Sequence, residues 1–291
     1  MVKNNLTARN QREGWVLILP LLLGCGIFFA APFLLVLRNS LFHGIGYSEH
    51  FVGLENYKRL LESAVFRLAF SNTLKFLALA LPLVIVISYG IAMMLREQAE
   101  KYEVLKSVLL LPYIMPVAGT VLMVDLLFLP SGLVNEILKV LDFPIAEWLN
   151  SRYAYWVVIL LYLWKNTGYS VILILSGLVT IPEDQYHAAA LDGADQWQRF
   201  ISITMPQMWY SLFIAFVFSL INAFKCFREI FLIGGTHPHS SIYMLQHFIN
   251  NAFQKLNYPK LSVASVLLFL VIAVIFACLY SFVTGKEAYK E

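Results

Sequence analysis

The chain has 291 residues, 59% of them hydrophobic and only 13% charged, with a formal net charge of +3. Together with a mean hydropathy of +0.70, that balance excludes an ordinary soluble domain and makes the bilayer the solvent for most of the chain. Nothing in it points to a nucleic-acid partner.

Crossing a hydrocarbon core of ~30 Å takes roughly 20 residues of helix. Six segments qualify: Trp15 to Leu37, Leu68 to Leu95, Val104 to Leu129, Tyr153 to Gly177, Trp209 to Ile233 and Leu261 to Val283. Lipid leaves open backbone groups without partners, so these runs are expected as helices, giving an all-α membrane protein with six transmembrane helices. Ahead of the first stand Lys3, Arg9 and Arg12, which favour a cytosolic N-terminus. Pro32-Phe33-Leu34-Leu35 continues that run with no small-residue cleavage site, so it reads as a retained helix. Over all the loops, Lys and Arg are nearly balanced between the two sides and do not by themselves fix the topology.

Further along, Pro82, Pro112 and Pro116 lie in or beside the second and third helices, where a missing N–H and a ring clash bend the backbone. In the fourth helix Tyr162, Asn166 and Tyr169 follow i, i+4, i+7 spacing and share a stripe. In the fifth, Ser219, Asn222 and Cys226 share a face with Lys225 beside it. Polar groups at bilayer depth are costly unless they face a cavity or a partner helix. Hydroxyl, amide and aromatic groups suit a sugar, which offers hydroxyls and a flat ring, so these residues are candidates for a substrate path. Lys75, Lys165, Lys225 and Arg228 against Asp125 and Glu229 make the intramembrane charge positive, with Arg228 able to pair with Glu229. An excess of that sign would favour an acidic substrate. Cys25, Cys226 and Cys278 fall inside helices and read as small buried apolar groups. His237, His239 and His247 form a small group, but no Cys or carboxylate stands by as a further ligand, so they read as loop histidines.

Between the fourth and fifth helices lies Tyr186-His187-Ala188-Ala189-Ala190-Leu191-Asp192-Gly193, followed by Ile203-Thr204-Met205-Pro206. Pro182, Glu183 and Asp184 open a short helix in the order that helix N-termini prefer. Three alanines let its backbone approach a partner closely, and Gly193 permits the turn that ends it. This spacing resembles the EAA loop of permease subunits from binding-protein-dependent ABC importers, with Ala188, Ala189, Gly193, Ile203 and Pro206 in register and His187 where that family usually has Glu. Phe51-Val52-Gly53-Leu54-Glu55-Asn56-Tyr57, Leu110-Leu111-Pro112-Tyr113-Ile114-Met115-Pro116, and Gly234-Gly235 with Ser240-Ser241 are similar to stretches of the maltose-type sugar branch.

The resemblance implies a type I ABC importer permease fold. It divides into an N-terminal region 1–67, a core permease domain 68–284 with coupling loop 181–207, and a cytosolic tail 285–291. It implies that His187, Ala188, Ala189, Gly193, Ile203 and Pro206 meet a separate ATPase, which binds ATP and Mg. It also implies a second homologous permease as heterodimer partner, two ATP-binding subunits, an extracytoplasmic solute-binding protein and a carbohydrate substrate lined by Tyr162, Asn166, Tyr169, Ser219, Asn222 and Lys225. No phosphate-binding Gly-x-x-x-x-Gly-Lys-Ser/Thr loop, zinc-protease signature or nucleophile elbow is present, so the chain is expected to be a transport subunit without catalytic residues, metal or cofactor of its own. A non-sugar importer stands as the alternative, and behind it an ion-driven transporter, for which an internal repeat and intramembrane acids would be needed.

Overall fold

The computed structural model describes residues 2–44, 49–96 and 103–287, with side chains for 14–44, 49–96, 105–281. Lys101 and Lys290, with most of the expected C-terminal tail, lie outside the described residues, and so do the side chains of Lys3, Arg9, Arg12 and Lys286.

Among the described residues, six spans are long and apolar enough to cross a membrane: Gly14–Leu41, Ala64–Leu95, Val117–Val140, Ala154–Val179, Gln196–Gly234 and Tyr258–Ser281. They form two compact units, one comprising 1–64 with 249–270 and the other 65–248 with 271–291.

In the smaller unit, helix α1 (Val2–Cys25) passes through a five-residue π turn, Gly26–Ala30, into α2 (Ala31–Leu41). The wide turn stands directly before Pro32, whose ring removes one N–H and crowds the carbonyl of Phe28; widening the turn relieves both. The short strands β1 (Phe42–His43) and β2 (His50–Phe51) then pair antiparallel, with Phe42 opposite Phe51. Gly53 takes φ +57, which a glycine adopts freely, and α3 (Glu55–Glu62) begins two residues later. Buried Asn56 explains the Gly-Leu-x-Asn-Tyr pattern physically. Its Nδ2 donates to Ser40 O (3.1 Å) and Phe42 O (2.8 Å), satisfying carbonyls at the end of α2, while Tyr57 OH lies 2.7 Å from Ser40 Oγ.

The larger unit is organised around α8. Helix α4 (Ala64–Leu95) runs uninterrupted through Pro82. The expected third helix is instead two: α5 (Glu103–Ile114) and α6 (Val117–Phe128), separated by Met115 and Pro116. Pro116, at ψ 145, sits in the extended region and opens α6, so it acts as a helix starter rather than as a kink. An amphipathic α7 (Leu133–Val140) follows, its loops fastened by Asn135. That buried amide donates to Pro130 O and Ala146 O and accepts from Ala146 N and Trp148 Nε1.

Helix α8 (Ala154–Val179) buries more than half of its apolar window inside the protein, the largest share of any span. It is followed by α9 (Glu183–Leu191), the one-turn α10 (Gln196–Arg199), a second π turn at Phe200–Thr204 and α11 (Met205–Lys225). This π turn also stands just before a proline, Pro206, as Gly26–Ala30 stands before Pro32. The expected single fifth helix is offset at Cys226, after which α12 (Phe227–Gly234) continues. Helix α13 (Leu245–Gln254) is amphipathic, and α14 (Tyr258–Glu287) ends the described chain.

One core cluster joins Phe76, Ala80 and Val84 of α4 to Val158 and Tyr162 of α8 and Leu220 of α11. A second joins Ala92 to Val171, Ile174 and Leu178 of α8 and to Met208. Of the three cysteines only Cys226 is buried; Cys25 and Cys278 are exposed on apolar helix surfaces, where a thiol is as acceptable to lipid as to a core.

Candidate coupling and translocation site

The α8–α11 connection carries the expected short helix. Pro182 precedes α9 in extended conformation, and Glu183 and Asp184 fill its first turn near the positive end of the helix dipole. Asp192 closes the helix, and Gly193 adopts φ +82, a left-handed conformation that a side chain would strain. Asp195 then caps α10 through a reciprocal pair: Gln198 N donates to Asp195 Oδ1 (2.7 Å) and Asp195 N to Gln198 Oε1 (2.8 Å).

Three contacts lock this loop to the membrane helices. Tyr186 OH meets Thr204 Oγ1 at 2.8 Å, and Gln207 Nε2 donates to Gln185 Oε1 at 2.6 Å, joining α9 to the start of α11. The Arg96 guanidinium sits 4.1 Å over the Tyr186 ring, joining α9 to the end of α4. Ile203 and Tyr186 pack on the Ala92–Leu178 cluster. By contrast His187, Ala188, Leu191 and Gly193 are exposed, Ala189 and Pro206 half-buried. The loop is therefore anchored on one side and presents small side chains on the other, with Leu191 89% and Trp197 67% exposed beside them. Those two large apolar residues escaped sequence reasoning, because single apolar residues in a polar loop carry no periodic signal.

The polar stripe of α8 is split by the structure. Tyr162 is fully buried, packs edge-on against Phe76 and donates its hydroxyl to Ser219 O of α11 at 2.8 Å. Asn166, also buried, donates to Tyr162 O, and Ser170 Oγ lies 3.3 Å from Ser219 Oγ. In this conformation Tyr162 and Ser170 tie α8 to Ser219 of α11, while Asn166 bonds back within its own helix. Tyr169 is only half-buried and stacks flat on Tyr113 of α5, centroids 4.5 Å apart, with Phe218 edge-on at 5.8 Å. Asn222 is buried and Lys225 exposed.

The expected partner of Glu229 is corrected. Lys165 of α8, not Arg228, donates to Glu229 Oε1 of α12, with side chains 15% and 5% exposed. Arg228 points to the exposed side, as i and i+1 positions on a helix diverge. Glu229 also lies within a span, as does half-buried Asp125, and its pair with Lys165 cancels one charge of each sign, so the positive excess now rests on Lys75, Lys225 and Arg228 against Asp125. His247 belongs to the packing: Met244 N donates to its Nδ1 at 3.2 Å, and Phe227 meets its ring edge-on at 4.8 Å. Burial, and secondarily His237, push its pKa down to about 4.

Six apolar spans with a short small-residue helix held in the connection between two of them describe a multi-pass membrane component. The profile of the family described as "binding-protein-dependent transport system inner membrane component" matches residues 77–285, and the chain belongs to that family. The trehalose/maltose transport system permease protein MalF of Thermococcus litoralis is 30% identical over 277 residues, spanning 92% of this chain and 94% of that protein. The sn-glycerol-3-phosphate transport system permease protein UgpA of Yersinia pestis is 28% identical over 285 residues, 95% of each. Among solved structures, a bacterial ABC transporter involved in the import of the acidic polysaccharide alginate superposes with a TM-score of 0.83 at 20% identity, covering 97% of this chain and 99% of that one. The fold is the type I importer permease fold, and the chain is a multi-pass membrane transport component.

Proposed function

We propose that this chain is one of two homologous permease subunits of an importer that carries a sugar or oligosaccharide delivered by an extracytoplasmic binding protein. Helix α9 seats in a cleft of a separate ATPase subunit, one of two, which binds ATP and Mg. The observation that carries this reading is the anchoring of α9 through Arg96, Tyr186 and Gln185 while its alanine face stays open. A push on α9 is thereby passed to α4 and α11 together, and through the Tyr162–Ser219 contact to α8. Alternating access then follows as a population shift between two packings of these helices, biased by ATP and by the binding protein. His187 occupies an exposed position on α9, so His187→Glu is expected to preserve substrate-stimulated ATP hydrolysis.

A carbohydrate is favoured because the relatives named above include a trehalose/maltose permease, and because the half-buried Tyr169 belongs to an aromatic group with Tyr113 and Phe218 of the kind on which a sugar ring packs. Tyr169, Asn222 and Lys225 are the candidates for substrate contact; Tyr162 and Ser219 act on the path through the helix contact they make, and Asn166 through the α8 carbonyl it holds. The test is affinity purification of the tagged chain from its native membrane in mild detergent, with mass spectrometry of what accompanies it. Recovery of an ATPase, a second permease and a solute-binding protein whose ligand is a sugar is the expected result. Recovery of the chain alone, under conditions that keep comparable importers intact, would overturn the reading.

A further inference from the structure

At the end of the larger unit opposite α9, a cavity of about 640 Å³ is lined by Asn72, Lys75 and Leu79 of α4, Arg152 and Tyr155 at the start of α8, and Ser241. Among the described residues, two cations line it and no carboxylate does. Hydrogen bonds fix its walls. Asn72 Nδ2 donates to Ser240 O (2.6 Å) and Tyr243 O (3.0 Å), tying α4 to the loop before α13. Ser241 Oγ donates to Ser151 O at 3.2 Å, tying the same loop to the α8 start.

The charge pattern of α4 gives the depth of this cavity. The 20 residues Phe76 to Leu95 carry no charge, and Lys75 and Arg96 bracket them. Twenty helical residues span ~30 Å, the thickness of the hydrocarbon core, so Lys75 stands at one boundary of that core. Aromatic residues gather at the α8 end of the cavity: Trp148 and Tyr153 (5.6 Å between centroids), Tyr155 and Trp156 (5.6 Å). Such a belt marks the level of lipid headgroups. Below the cations, Ala78 and Leu79 supply an apolar wall.

We propose that this cavity binds the phosphate of an anionic phospholipid, with Lys75 and Arg152 on the phosphodiester, Tyr155 and Ser241 at headgroup level, and an acyl chain along Ala78 and Leu79. The site rests on the transport reading only for the leaflet, which is the outer one if α9 is cytosolic.

The experiment uses the purified transporter complex and native mass spectrometry, counting retained phosphatidylglycerol against phosphatidylcholine. Wild type is expected to retain phosphatidylglycerol preferentially. Lys75→Gln, and Lys75→Gln with Arg152→Gln, are expected to reduce that retention about fivefold per cation removed while phosphatidylcholine is unchanged. Lys75→Gln is read separately because Arg152 also lies over the Tyr153 ring, 5.4 Å away, so its loss disturbs the α8 start. Unaltered ATP-driven uptake from phosphatidylcholine proteoliposomes verifies that the variants are folded. Equal retention of both lipids, or equal phosphatidylglycerol retention in wild type and variants, would overturn the proposal. So would full displacement of the lipid by excess inorganic phosphate or glucuronate, which would assign the cavity to a free anion.

Discussion

Substituting Gly168 by alanine tests the close approach of α8 to the backbone of α5. An added Cβ at this position would stand 2.6 Å from the carbonyl carbon of Leu109 and 3.2 Å from its Cα, nearer still to the oxygen. Ordinary contacts begin at 3.4 Å, and the carbonyl oxygen, the nearest obstacle, sets the distance, so α5 would have to retreat from α8 by well over 1 Å. The obstacle is backbone, which no rotamer change can move aside. Overpacking a close contact costs about 1–3 kcal/mol, and a backbone clash belongs at the upper end. Taking ~3 kcal/mol and ~2–4 °C per kcal/mol for a chain of this size, the thermal midpoint of the detergent-solubilised protein should fall by roughly 10 °C. Retreat of α5 would also separate Tyr113 from Tyr169, now stacked at 4.5 Å, so uptake should fall in variants that still assemble. Gly90→Ala is the control, because its Cβ would meet nothing within 4 Å. A Gly168→Ala midpoint within the ~2–4 °C that one kcal/mol shifts would refute the argument. The α5–α8 contact would then be loose, and the close approach would not constrain the stripe around Tyr169.

Three further outcomes are expected. Glu229→Gln leaves Lys165 buried without its counter-charge and should cost about 3 kcal/mol, whereas Lys165→Met combined with Glu229→Leu should come close to wild type; thermal midpoints of the three proteins decide this. His247 has its folded pKa lowered to about 4, below the ~6.5 of an unfolded histidine, so its contribution is present above pH 6.5 and lost as pH falls toward 4. The loss between pH 7 and pH 5 should be about 2 kcal/mol, and His247→Phe should flatten that slope in a pH series of melting curves. Asp195→Ala removes the reciprocal cap on α10 and should cost about 1 kcal/mol locally. Faster amide exchange at residues 196–199 with unchanged exchange in α8 is the signature; equal exchange would mean that the π turn after α10, rather than the cap, holds this segment.

What could be read from the sequence, and what could not, follows from the range of the forces involved. Apolar run length gave the number of spans, because the bilayer imposes one dimension on each of them, but ran the third from α5 into α6 where the observed span is Val117–Val140. The short helix α9 was legible because proline, acids, alanines and glycine each answer a local backbone demand between Pro182 and Gly193. Proline effects were legible in kind but not in form. Pro82 leaves α4 intact, Pro116 starts a new helix, and Pro32 and Pro206 each follow a π turn, and the choice among these depends on what packs around the preceding carbonyl.

Pairings between distant segments were the least legible. Lys165 and Glu229 are 64 positions apart, and residue type alone could equally have paired Glu229 with its neighbour Arg228. Likewise Tyr162 and Tyr169 share one helical stripe, yet one reaches a backbone carbonyl of α11 and the other a ring of α5. A stripe fixes which residues point together; the neighbouring helices decide which of them hold the bundle and which remain open to a solute. That division assigns Tyr162 and Ser219 to stability. Loss of uptake after Tyr162→Phe should therefore come with a lowered thermal midpoint, whereas Tyr169→Ala should reduce uptake at an unchanged one.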